Sequence, residues 1–194
     1  EMTFTPGLIG AVASQSTAPK ETWVALASTA LGSDTVGVTW TSGGSAESWA
    51  NFQDLVVVAY SQSTTTANGV ILQYNNDTTG SNYDEFYIYE AGGAPIAATG
   101  SSTGVFLLWS NTHAYQNETY AIGMAQIYDI NDTHKYMSTT TRFADDRASG
   151  GGYGGLHLGL WKDTSALTEI DLIDGNGNAF AAGSRYDLYG IRGE

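Results

Sequence analysis

No stretch of this chain sustains an apolar stripe of 3.6-residue period, which removes helical bundles and helix-covered sheets from consideration. In its place, short runs rich in Val, Ile, Leu, Thr, Tyr and Trp recur: Trp23–Ala27, Val36–Trp40, Leu55–Tyr60, Val70–Tyr74, Glu85–Tyr89, Val105–Trp109, Thr119–Tyr128, Lys135–Arg142, Leu156–Trp161, Glu169–Ile173 and Tyr186–Ile191. Between them lie turn-forming clusters such as Gly32-Ser33-Asp34, Ser42-Gly43-Gly44-Ser45 and Asn75-Asn76-Asp77-Thr78-Thr79-Gly80. Eleven strands are predicted, at the spacing of an all-β, jelly-roll-like β-sandwich. A helical turn is expected only within Trp49–Leu55.

Several runs alternate with period two, so one side of each strand is buried and the other wet. Leu156, Leu158 and Leu160 are expected to face the core, with His157 and Gly159 facing solvent. Trp161 is placed in the core beneath the last strands.

The 194 residues suit one domain, and 42% hydrophobic against 14% charged residues provides enough apolar surface to offset chain entropy. That domain spans 22–194. Residues 1–21 carry Pro6 and Pro19 and no strand period, and are read as a short extended N-terminal arm. Phe4, Leu8, Ile9 and Val12 are its candidate anchors for attachment to a neighbouring surface. Met2 reads as an initiator, and no basic region of a secretory leader precedes the short apolar stretch after it.

Seven Lys and Arg against twenty Asp and Glu leave a net charge of −13, which repels phosphate backbones and anionic lipid alike. Neither nucleic acid nor membrane is an expected partner. Without cysteine there is no disulfide and no thiolate chemistry.

Nothing in the sequence asks for catalysis. His113, His134 and His157 stand in no metal-ligand spacing and beside no nucleophile elbow. Asp84-Glu85, Asp129-Ile130-Asn131-Asp132, Asp145-Asp146 and Asp174-Gly175-Asn176-Gly177-Asn178 gather carboxylates, and the last begins like a calcium loop, but Arg185 occupies the position of the closing Glu and a hairpin turn is the simpler reading. No cofactor is expected. Asn76, Asn117 and Asn131 begin Asn-x-Thr sites in predicted turns or strand edges. Twelve Tyr and five Trp allow either a core or an exposed sugar-stacking platform.

Two segments carry a resemblance. Gly159-Leu160-Trp161-Lys162-Asp163-Thr164-Ser165-Ala166-Leu167-Thr168-Glu169-Ile170-Asp171-Leu172 and Gly177-Asn178-Ala179-Phe180-Ala181-Ala182-Gly183-Ser184-Arg185-Tyr186-Asp187-Leu188-Tyr189-Gly190-Ile191 are similar to the closing signature of a family of tailed-bacteriophage virion proteins. Upstream echoes, among them Val36-Gly37-Val38-Thr39-Trp40 and Ile127-Tyr128-Asp129-Ile130-Asn131-Asp132, extend the likeness over about 22–191. Gly150-Gly151-Gly152-Tyr153 and Asp145-Asp146 depart from it.

The resemblance implies a virion-surface structural protein: a capsid decoration (cement) or head-fibre protein, or alternatively a tail-fibre, receptor-binding domain recognising host surface glycan. The partners it implies are further copies of the chain, as a homotrimer, and the major capsid protein or other virion proteins. Leu160, Trp161, Ile170, Leu172, Leu188 and Ile191 are expected to anchor the last strands, with Gly183-Ser184 making the tight return between them.

Overall fold

The protein was studied as a computed structural model that describes residues 22–65, 68–91, 94–112, 119–145 and 152–193. The arm 1–21, with Phe4, Leu8, Ile9 and Val12, lies outside the described residues, as do His113, Asn117 and Asp146. The strands are β1 (Trp23–Ala30), β2 (Gly37–Thr41), β3 (Asp54–Ser63), β4 (Asn68–Tyr74), β5 (Tyr83–Ala91), β6 (Ala94–Gly100), β7 (Val105–Thr112), β8 (Ala121–Ile127), β9 (Met137–Asp145), β10 (Tyr153–Trp161), β11 (Glu169–Asp174) and β12 (Arg185–Ile191). Among the described residues three short 3-10 turns complete them, one being the expected turn, at Trp49–Asn51.

Each predicted run is a strand. The addition is β6, whose Ala94-Pro95-Ile96-Ala97-Ala98-Thr99-Gly100 lacks the bulky β-formers that flag a strand. Among the described residues it pairs only with β5, at a sheet edge, where a proline costs no ladder hydrogen bond.

The chain rolls into two antiparallel sheets packed face to face. The smaller runs β2-β11-β4-β7 and the larger β1-β12-β3-β8-β9-β10-β5-β6; a short parallel bridge at Gln62↔Asn111 and Ser63↔Thr112 joins β3 to β7. The pairs β2–β11, β3–β8, β4–β7 and β5–β6 are nested, first strand with last and inward from there. That nesting is the jelly roll: one long hairpin wound so that successive pairs fall in alternate sheets. The β9–β10 hairpin is inserted between β8 and β5, and β12 with β1 extends the larger sheet beyond β3.

Leu55, Val57, Val70, Leu72, Leu107, Leu108, Ile170, Leu172 and Leu188 fill the space between the sheets and are all fully buried. Trp161 is buried as expected; its edge meets Tyr74, and its Nε1 donates to Asp77 Oδ2 at 2.8 Å, so its polar edge is satisfied as its ring packs. Where β10 crosses β7 the sheets approach so closely that a Cβ at Gly159 would lie 2.5 Å from the Val105 side chain. Gly183 takes φ +90, a conformation suited to glycine, and leads through buried Ser184 into β12.

The alternation along β10 has the expected period and the opposite sense. Leu156 and Leu158 are exposed and Leu160 is only half-buried, whereas His157 and Gly159 point inward. Ile191 is likewise half-buried. The reason is steric: with Val105 pressed against the inner side, a leucine at 159 has no room, and the register turns every other residue accordingly. The Asp174–Asn178 segment is also not a hairpin turn, since β11 and β12 lie in different sheets. Asp174, buried, accepts from the backbone of Asn176 and Asn178 and from the Ser63 hydroxyl, and so steers the chain from one sheet to the other.

Candidate interaction face

The outward side of the larger sheet follows from register and period two. Reading across the strands, one row is Tyr60, Ile122, Ala144, Gly154 and Glu90. The next is Val58, Met124, Arg142, Leu156 and Ile88, and the third is Val56, Gln126, Thr140, Leu158 and Phe86. Leu156 sits directly opposite Ile88, Leu158 opposite Phe86, and Tyr60 opposite Ile122. All six are exposed, from 41% at Phe86 to 53% at Ile122. Scattered apolar residues are normal on a surface; paired neighbours on four strands form a patch.

The patch is grooved. A depression of about 760 Å³ runs beside Asp84, Phe86, Thr99, Ser101, Ser138 and Leu158, and another of about 400 Å³ beside Val58, Ile122, Met124 and Arg142.

Its charge is as distinctive as its polarity. Lys135, Lys162, Arg185 and Arg192 hold Asp129, Asp84, Asp187 and Glu47 respectively. Among the described cations, Arg142 alone holds no carboxylate; its Nη2 rests 3.4 Å from Met124 Sδ. Of the outward carboxylates on this side, Asp84 and Asp187 are taken by cations, and Asp54 accepts from Gln126 Nε2 and the Asp129 amide. Glu90, at the end of β5, has no such partner among the described residues.

The residues weighed for chemistry are dispersed. His134 is exposed and leans on Asp132. His157, expected to face solvent, is 4% exposed and lies between Phe106 at 4.3 Å and Tyr87 at 5.0 Å, ring over ring. Neither ring nitrogen has a hydrogen-bond partner, and burial pulls its pKa down to about 4, so it is a neutral core aromatic at neutral pH. Of Asp84-Glu85, the first faces out and the second in; Glu85 accepts from the Phe106 amide at 2.6 Å, tying the sheets together, and burial raises its pKa. Asp77 is held down to about 2, burial being outweighed by donation from Trp161, Asn82 and Thr79. Among the described residues no group of three or more His, Cys, Asp or Glu is placed to hold a metal ion.

Asn76 is exposed in a left-handed turn, φ 56, whereas the Asn131 amide donates to the carbonyls of Trp49 and Phe52. The aromatics do not form one platform: Trp40, Trp49 and Trp161 are core, Trp23 lies on the edge strand, and Tyr60 stacks on Tyr120 at 4.5 Å. No helix among the described residues is long and apolar enough to cross a membrane. In comparisons with known proteins, no family model matches the chain, and no curated protein or solved structure matches it significantly.

Proposed function

We propose that this protein is a structural component of a tailed-bacteriophage virion surface, a capsid decoration (cement) or head-fibre protein that docks on the particle and projects its jelly roll outward. The observation that carries the reading is the grooved, apolar outer face of the larger sheet, an assembly surface on a domain in which His157 and Glu85 are spent on packing and Asp174 on a turn. The jelly roll itself is an architecture that viral capsid proteins and lectins share, so it fits the reading as a scaffold and names no site. The signature residues fit in the same way: Trp161, Ile170, Leu172 and Leu188 are core.

In this reading residues 1–21 attach the domain to the major capsid protein or another virion protein, with Phe4, Leu8, Ile9 and Val12 as anchors. Electron microscopy of particles carrying a labelled chain tests it. Label distributed over the head lattice is expected, and label confined to the tail tip overturns it. Deletion of 1–21 should abolish incorporation while leaving the melting temperature of the isolated domain within about 2 °C, the shift of a small ΔΔG.

A second reading has one observation of its own. In the larger groove the Phe86 ring stands beside the Asp84 carboxylate and the hydroxyls of Thr99, Ser101 and Ser138, the mixture that stacks on a sugar face and binds its hydroxyls. A tail-fibre domain recognising host glycan would use it. Binding of host surface polysaccharide that Phe86→Ala abolishes would favour this reading.

A further inference from the structure

We infer that Asn176 is a site of spontaneous covalent modification, where the side-chain amide is lost as the Gly177 nitrogen closes a succinimide ring that water then opens to aspartate or isoaspartate.

The pair Asn-Gly occurs twice in the chain, at Asn68-Gly69 and Asn176-Gly177, and the fold treats the two oppositely. Ring closure requires the nitrogen of the following residue to swing onto the Asn Cγ, and glycine, without a Cβ, opposes that swing least. At Asn68-Gly69 the swing is blocked. Both residues belong to β4 and pair with Ser110 and Trp109 of β7; the Gly69 carbonyl accepts from the Gly175 amide at 2.8 Å, and a Cβ at Gly69 would stand 2.6 Å from the Phe106 ring. Asn176 lies instead in the exposed turn after β11, and its carboxamide holds no hydrogen-bond partner among the described residues. Gly177 has φ +76, and a Cβ there would have nothing within 4 Å, so the ring has room to form. One restraint remains: the Gly177 amide donates to the Asp174 carbonyl at 2.8 Å and must leave it before attack. Reactivity is therefore ordered, with the unfolded chain fastest, folded Asn176 next and folded Asn68 last.

Water is the only co-reactant. The Gly177 nitrogen loses its proton to water and bonds to Asn176 Cγ, while the Cγ–Nδ2 bond breaks and ammonia leaves. Water added at Cγ opens the ring to aspartate in a normal backbone. Water added at the α-carbonyl opens it to isoaspartate, whose main chain runs through Cβ and Cγ and is one carbon longer.

The two products act differently on the crossing between sheets. Asp174 Oδ1 holds the backbone amides of Asn176 at 3.0 Å and Asn178 at 3.3 Å. The extra carbon of isoaspartate falls between those two amides, so one carboxylate oxygen no longer spans both without distortion. Aspartate keeps the spacing but sets a second carboxylate two residues from the buried one, in a chain already at net charge −13.

Peptide mapping of the full-length protein, aged in warm, mildly alkaline buffer, tests this, with isoaspartate marked by enzymatic methylation. A gain of one mass unit and the methyl label are expected at Asn176 at least about tenfold faster than at Asn68, because β4 must open before Asn68 reacts. In guanidinium chloride the two sites should react at similar rates. Asn176→Gln, which would have to close a larger ring, should stay unmodified. Fresh wild type and Asn176→Gln should melt together, and after equal ageing the wild type should melt about 3 °C or more below the variant. Equal rates at the two sites in the folded protein overturn the inference, as does an Asn176 that stays intact while the unfolded chain reacts. Aged wild type that carries isoaspartate and still melts with Asn176→Gln overturns the effect on the crossing.

Discussion

The two outward faces of this sandwich obey the same alternation and have opposite characters. On the smaller sheet the outward side is led by Thr39, Thr41, Glu169, Asp171 and Gln73, and its polar groups bond to one another or to nearby backbone: the Thr39 hydroxyl donates to Asp171 at 2.5 Å, and Gln73 Nε2 to the Thr103 carbonyl at 2.8 Å. On the larger sheet the outward side carries Tyr60, Ile122, Leu156, Leu158, Phe86 and Ile88, with an arginine that holds no carboxylate. Core packing dictates the inner residue at each position and leaves the outer one free. One sheet has used that freedom to face water and the other has kept surface that gains by being covered.

The largest expected effect lies inside, where both sheets contribute. Trp161→Ala should cost about 3–5 kcal/mol through lost burial, an unfilled cavity and a donor removed from Asp77, read from denaturant midpoints. A cost below about 1 kcal/mol would mean that the ring is not the keystone of its corner.

Acid gives the next effect. His157 titrates at about 4 in the folded chain against 6.5 when exposed, so below pH 6.5 the unfolded chain takes up the proton first. Its contribution is complete above pH 6.5 and lost as pH falls toward 4, about 3 kcal/mol in all at 1.36 kcal/mol per pH unit. Glu85, whose pKa is raised, works in the opposite sense, losing stability as pH rises through its folded value. The measurement is therefore the difference between wild type and His157→Phe in melting temperature across pH 4–7; parallel curves would place the imidazole in contact with water or a partner.

The smallest effects separate the faces. Thr39→Val leaves Asp171 without its hydroxyl donor and should cost about 1 kcal/mol. Leu158→Thr on the larger sheet should change the stability of the single chain by no more than about 0.5 kcal/mol while raising its solubility. If Leu158→Thr costs 2 kcal/mol or more, its side chain is part of a core and the contrast between the faces collapses.

The sequence reveals the period of this fold better than its sense. Tyr83 through Glu90 and Gly154 through Trp161 carry apolar residues on both sides, so alternation marks a strand without saying which side is inward. A signal was present in β10: Gly155 and Gly159 share a side with His157, and small residues on a strand mark where another element comes close. Leucines look more like core than a histidine flanked by glycines does, and the inference from side-chain hydrophobicity alone put the core on the wrong side. β6 was hidden for a different reason, its residues being small and its proline tolerable only at an edge that the sequence does not announce. The unpaired state of Arg142 was hidden too, because it depends on which carboxylates the other cations reach.

The pairing of β1 with β12 sets Trp23 beside Ile191, and the Arg192 amide donates to the Thr22 carbonyl at 3.1 Å. The jelly roll thus has its doorway at a single corner, entry and exit side by side. A domain of this form is a cassette: spliced into a surface loop of another protein it would leave the host's fold continuous across the gap, and with a short linker across the corner new ends could be cut at an exposed turn elsewhere.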